Sequence, residues 1–156
     1  MKDIRRCYQS VSPDNTGLIA HQIGELLRPG DTILLDGPVG AGKTHFARSL
    51  IQSLLIVPED VPSPTFTLVQ TYDTRAGEVW HSDLYRLTSP HEVIELGLTD
   101  AFDDAICLIE WPDRLGDLAP ADALRITFRA TGDDARQIDV VGSERWNALL
   151  EGTTDV

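Results

Sequence analysis

The eight residues 37–44, GPVGAGKT, constrain this chain more than any other stretch. They fit GxxxxGK(S/T) at every fixed position. A short apolar run ending in Asp36 precedes them, and residues 43–55 (KTHFARSLIQSLL) carry a helical pattern with Phe46, Leu50 and Leu54 at i, i+4 and i+8. Strand, glycine loop and helix are the context in which this motif cradles phosphates. The glycines let backbone N–H groups turn towards phosphate oxygens, and the new helix points its positive end at them. The expected nucleotide-binding set is therefore Gly37, Gly40, Ala41, Gly42, Lys43, Thr44 and His45. Lys43 reaches the β- and γ-phosphates in this reading, and the Thr44 hydroxyl binds Mg²⁺. The expected ligand is a nucleoside triphosphate.

A loop of this kind implies a three-layer α/β fold, and the rest of the chain reads accordingly. Ser-Pro-Asp-Asn at 12–15 opens a helix with Leu18, Ile19, Ile23, Leu26 and Leu27 on one face, and Pro29-Gly30-Asp31 ends it. Residues 57–64 hold three prolines and form a loop. Residues 65–72 alternate like a strand, 73–77 turn, and 78–83 return, so 65–83 reads as a β-hairpin. Ser89-Pro90-His91-Glu92 has the form of a capping box opening a helix that stops at Gly97. Residues 105–109 are a continuous apolar run, suited to a strand buried on both faces of a parallel sheet. Strands near 123–129 and 136–141, and a helix from Ser143 carrying Trp146, Leu149 and Leu150, complete the chain. The expectation is one domain over residues 1–156, with a mostly parallel sheet and antiparallel strands added to it.

Composition limits what such a domain can bind unaided. There are 25 Asp and Glu against 13 Lys and Arg, a formal charge of −12, and the only lysines are Lys2 and Lys43. Recognition of a phosphate backbone needs clustered positive charge, so any role in nucleic-acid metabolism is expected to run through a protein partner. No apolar run is long enough to span a membrane, and the basic N-terminus has no apolar stretch behind it, so a cytoplasmic protein is expected. Cys7 and Cys107 lie in apolar, strand-like settings and read as two buried, reduced thiols.

Hydrolysis or transfer also requires acids near the metal and the γ-phosphate. Glu110 ends the apolar run, where a buried strand delivers its terminal carboxylate to the sheet edge, and it is the expected second Mg²⁺ ligand beside Thr44. Asp83 ends the strand 78–83. It either positions or deprotonates the attacking water, completes the metal's shell, or merely caps a turn. Thr65 lies either in a segment that responds to the γ-phosphate or in a turn that satisfies its own hydroxyl. His81 points the same way as Asp83 along a strand, and is either its orienting partner or a structural residue. Trp111 is a packing residue or one at the mouth of the site. Arg86 and Arg114 either supply charge to the transition state or form surface ion pairs. The expected catalytic residues are Lys43, Asp83 and Glu110.

In this order, GPVGAGKT, Ser63-Pro64-Thr65-Phe66, His81-Ser82-Asp83-Leu84-Tyr85-Arg86 and Glu110-Trp111-Pro112 resemble the successive signatures of the TsaE (YjeE) family. The resemblance spans about residues 12–141 and includes Pro-Gly-Asp before the first motif strand and Glu95-Leu96-Gly97-Leu98. It implies a bacterial P-loop ATPase required for threonylcarbamoyladenosine formation in tRNA. Such a protein binds ATP and Mg²⁺, joins a TsaB–TsaD pair and does not itself transfer the carbamoyl group. It also implies that hydrolysis depends on Asp83 and Glu110, that Thr65 belongs to a nucleotide-sensitive loop and that Trp111 matters. The family's loop usually reads GDLGAGKT. Pro38-Val39 stand here in place of Asp-Leu, at positions expected to face away from the fixed part of the motif. Two other readings compete: a P-loop small-molecule kinase, whose arginine-bearing lid would have to come from the short segments 73–77 or 112–118, and a nucleotide-dependent binding module without useful hydrolysis. Base selectivity has no motif, although segment 8–17, with Thr16, is placed to close over a base.

Overall fold

The computed structural model describes residues 4–151, so Lys2 and both extremities of the 1–156 range lie outside it. Seven strands and five helices follow one another along the described residues. They are β1 (Ile4–Ser10), α1 (Pro13–Gly24), β2 (Thr32–Asp36), α2 (Lys43–Leu54), β3 (Val69–Thr74), β4 (Gly77–Asp83), α3 (His91–Glu95), α4 (Leu98–Asp104), β5 (Ile106–Glu110), β6 (Leu124–Ala130), β7 (Arg136–Gly142) and α5 (Glu144–Leu150). A 3-10 segment, Pro112–Leu118, links β5 to β6.

The strands form one sheet in the order β1-β7-β6-β2-β5-β4-β3. The four inner strands β6, β2, β5 and β4 run parallel, while β7 and β1 on one side and β3 on the other are antiparallel additions. Strands β2 and β5 are apolar because both faces are covered. Ile33, Leu35, Ile106 and Leu108 pack under α1, α2 and α5, whereas Leu34, Cys107 and Ile109 pack under α3 and α4. Helix α2 sends Phe46, Ala47, Leu50, Ile51 and Leu54 into the first of these layers, as its periodicity predicts. The three-layer α/β fold with a mostly parallel centre is thus as expected. Among the described residues no helix is long and apolar enough to cross a membrane.

Several local expectations are corrected. Residues 65–68 turn rather than pair, because Leu68 adopts φ 69° and its N–H donates to the Pro64 carbonyl at 2.7 Å. Phe66 is 84% exposed, so the apparent alternation marks no buried face, and β3 starts only at Val69. The capping contact before α3 draws on Thr88 as well as Ser89: the Thr88 hydroxyl and N–H donate to the Glu92 carboxylate at 2.7 and 3.2 Å, and the Ser89 backbone N–H also bonds to it. Gly97, at φ 84°, ends this turn and also opens α4, which the sequence pattern does not announce. Leu18 is exposed, since the buried stripe of α1 runs through Thr16, Ile19, Ala20 and Ile23. Cys7 is exposed on the outward face of edge strand β1, whose inward residues are Tyr8 and Ser10, while Cys107 is fully buried.

Candidate functional site

Parallel strands bring their C-terminal residues to one edge of the sheet, and ligands of open α/β folds bind there. Asp36, Asp83 and Glu110 terminate β2, β4 and β5. The registers Leu35↔Glu110 and Asp83↔Glu110 set the last two side by side. The loop after β2 closes over this edge. Gly37, at φ 136°, passes so close to β6 that a Cβ would lie 2.7 Å from the Phe128 carbonyl oxygen. Gly42, at φ 108°, caps the N-terminus of α2 and leaves its first N–H groups directed outward.

Between the loop, the β4 and β5 ends and the β6–β7 turn lies a cleft of 580 Å³. Of the residues expected to bind nucleotide, Gly40, Gly42, Lys43, Thr44, His45 and Thr65 line it, together with the acids Asp83 and Glu110. Gly37 and Ala41 support the loop from beneath, and Ala41 is buried. Trp111 and Thr16 also line the cleft. Val39 does so too and is 79% exposed, so this position is not turned away from the site as the sequence suggests, whereas Pro38 is not among the lining residues.

Lys43 donates to the carbonyls of Gly37 and, at 3.2 Å, Pro38, and its ammonium lies 3.7 Å from the Trp111 ring centroid. Burial draws its pKa below the ordinary lysine value, against the opposing pull of Glu110, Asp36, Asp83 and Asp113. Tyr85 packs against Trp111, with ring centroids 4.9 Å apart. The two carboxylates have separate partners. Glu110, only 2% exposed, accepts from the Thr44 hydroxyl at 2.8 Å through Oε1 and meets Nε2 of His81 at 2.7 Å through Oε2. Asp83 accepts from the Thr65 hydroxyl at 3.0 Å and from the Tyr85 N–H at 2.9 Å.

His81 therefore contacts Glu110, on the neighbouring strand, rather than Asp83, because the short distance runs across the sheet. Arg86 is exposed and lies over the Phe66 ring at 5.4 Å, while Arg114 reaches the Tyr85 carbonyl; neither lines the cleft. Sequence reading missed Arg136, which opens β7. Its Nε donates to the Ala41 carbonyl at 3.0 Å and one terminal nitrogen to Ala135 at 2.8 Å, tying the β6–β7 turn to the phosphate-type loop. No local pattern marks this residue, since its partner is 95 positions away. Pro13, Tyr85 and Asp134 complete the lining; Tyr85 falls within the His81–Arg86 signature and Pro13 within segment 8–17, whereas no pattern singles out Asp134.

The family model for the threonylcarbamoyl adenosine biosynthesis protein TsaE matches residues 10–138. The chain belongs to the TsaE family. That family is involved in tRNA threonylcarbamoyladenosine biosynthesis. TsaE of Bacillus subtilis is 34% identical over 153 residues, covering 97% of this chain and 94% of that protein. TsaE of Haemophilus influenzae is 41% identical over 112 residues, covering 70% and 68%. TsaE of Rickettsia felis is 33% identical over 138 residues, covering 88% and 81%. Among solved structures, Bacillus subtilis YdiB superimposes with a TM-score of 0.78 at 28% identity, over 97% of this chain and 95% of that one. The resemblance carried by the four motifs is thereby established at the level of the family.

Proposed function

We propose that residues 1–156 act as one Mg²⁺-dependent ATPase domain of the cytoplasmic tRNA N6-threonylcarbamoyladenosine machinery. It works in complex with a TsaB–TsaD-type pair and does not transfer the group itself. The observation that carries this reading is the Thr44–Glu110 contact, a motif hydroxyl and a buried strand-end carboxylate 2.8 Å apart, with Asp83 beside them.

The loop N–H groups from Gly40 to His45 and the ammonium of Lys43 bind the phosphates of ATP. Among the described residues no group of three or more His, Cys, Asp and Glu could hold a metal on its own. Mg²⁺ makes no such demand, since it takes one or two carboxylates plus substrate phosphates and keeps several waters. Thr44 and Glu110 fit that donor set, and the ion, when bound, neutralises charge on the phosphates. Asp83, steadied by Thr65 and the Tyr85 N–H, orients the water that attacks the γ-phosphorus; ADP and phosphate leave. Trp111 flanks Lys43 and shields it from solvent.

Hydrolysis rather than transfer to a small acceptor is supported by segments 73–77 and 112–118, neither of which contributes a lining residue, and by Arg136, which lines the cleft but is tied to the Ala41 and Ala135 carbonyls. The charge of −12 supports tRNA being held by other subunits. The test is co-purification with a TsaB–TsaD pair, with and without ATP, alongside phosphate release. Association should depend on nucleotide and be lost in Lys43→Ala. Glu110→Ala and Asp83→Ala should each lower turnover by at least about 100-fold, the scale of a lost general base or charge-stabilising group. No association under any nucleotide condition, or full turnover in both variants, would refute this reading.

A further inference from the structure

His81 is fully buried at mid-strand on β4, where a leucine would fill the space without polar cost. It keeps one polar contact, Nε2 to Oε2 of Glu110 at 2.7 Å, and among the described residues its buried Nδ1 has no partner. These two facts favour one tautomer. A proton on Nδ1 would be a buried donor without an acceptor, and would leave a bare Nε2 facing a carboxylate oxygen. A proton on Nε2 instead lets the facing Glu110 oxygen accept, and leaves unpaired only an acceptor lone pair. One oxygen of Glu110 is thus occupied from below. The other, Oε1, is turned to Thr44, 2.8 Å away on the cleft side.

We infer that His81 is a positioning residue that makes Glu110 a one-oxygen ligand and so sets the site's preference for Mg²⁺ over Ca²⁺. This rests on the reading that Thr44 and Glu110 hold the divalent cation. Mg²⁺ demands near-ideal octahedral geometry and binds through one or two carboxylates, whereas Ca²⁺ takes six to eight oxygens and readily engages both oxygens of a carboxylate. A carboxylate with Oε2 tied to an imidazole must strain or break that bond to turn both oxygens towards one ion. Hydrogen-bonding partners behind a ligand commonly change metal affinity by 10–100-fold when removed.

The experiment is calorimetric titration of a non-hydrolysable ATP analogue at graded Mg²⁺ or Ca²⁺, using the full chain and its His81→Leu and His81→Gln variants. Thermal unfolding confirms that each is folded. The glutamine amide can donate from nearly the Nε2 position, while leucine cannot. His81→Leu should raise the Mg²⁺ concentration needed for tight nucleotide binding by about 10–100-fold and Ca²⁺ requirement less, so that the Mg²⁺/Ca²⁺ preference falls about tenfold. His81→Gln should stay within about threefold of the parent in both, less than the loss of such a partner produces. A folded His81→Leu variant with unchanged Mg²⁺ requirement and ion preference would overturn the assignment. So would a folded His81→Gln variant as impaired as His81→Leu. Should the parent chain bind the analogue equally well without divalent cation, the metal reading itself fails and this assignment with it. The two failures are therefore told apart by the parent chain alone.

Discussion

Gly37→Ala, set against Gly40→Ala, asks whether the loop is shaped by contact with the sheet or only by its own backbone. Both glycines have positive φ, 136° and 80°. They differ in surroundings: an added Cβ at Gly40 meets no described atom within 4 Å, whereas at Gly37 it lies 2.7 Å from the Phe128 carbonyl oxygen. That oxygen belongs to the backbone of β6 and cannot swing aside as a flexible side chain would. Gly40→Ala therefore carries only the left-handed penalty, about 1–2 kcal/mol. Gly37→Ala carries a backbone penalty of about 1–3 kcal/mol and an overpacking cost of about 1–3 kcal/mol, together about 4 kcal/mol. A difference near 2 kcal/mol corresponds to a melting temperature about 4–8 °C lower for Gly37→Ala at this chain length. Urea and thermal unfolding of the two variants measure it directly. Because the Gly37 carbonyl accepts from Lys43, displacement of the loop should also weaken binding of an ATP analogue. A Gly40→Ala variant as destabilised as Gly37→Ala would refute the argument from close approach.

Two further predictions concern regions outside the cleft. Burial pushes the Asp122 carboxyl up, but the Ser143 hydroxyl and the Arg145 guanidinium outweigh it and hold the group below its ordinary value of 3.8. Because the folded pKa is the lower one, the stabilisation is fully present above 3.8 and is lost as pH falls through the folded value. Asp122 is half exposed, so the gain is at most about 1 kcal/mol. The gap in urea midpoint between the parent and Asp122→Ala should be constant near neutrality and shrink in strong acid, and a gap that widens there would contradict the sign. For the cysteines, burial first, with the Glu78 charge adding to it and the Thr32 hydroxyl opposing, pushes the Cys107 thiol up to about 12. A thiol reagent should therefore label exposed Cys7 quickly and Cys107 only on unfolding, as mass spectrometry of the native chain would show; two fast thiols would count against it.

What could be read from the sequence was what is decided locally. The GPVGAGKT loop needs glycines at positive φ, α2 shows its apolar stripe at helical spacing, and β5 shows its burial as an unbroken apolar run. Acids that end strands can be placed at the C-terminal edge as soon as the strands are read as parallel, which is why the sequence alone puts Asp83 and Glu110 at that edge. Local reading failed where chain geometry broke its own pattern. Residues 65–68 alternate like a strand, yet a left-handed Leu68 and its bond to Pro64 fold them into a turn.

Tertiary structure alone decided who meets whom. Thr44 and Glu110 are 66 residues apart, His81 and Glu110 29, and Arg136 and Ala41 95. Periodicity along one strand pairs His81 with Asp83, but the order β2-β5-β4 puts Glu110 closer. The physical reason is that residue spacing fixes which face of an element a side chain takes, whereas strand order and register fix which other element that face touches. The loop, its helix and its acids were therefore written in the sequence. The partition of those acids, Glu110 to Thr44 and His81 and Asp83 to Thr65, came only with the sheet.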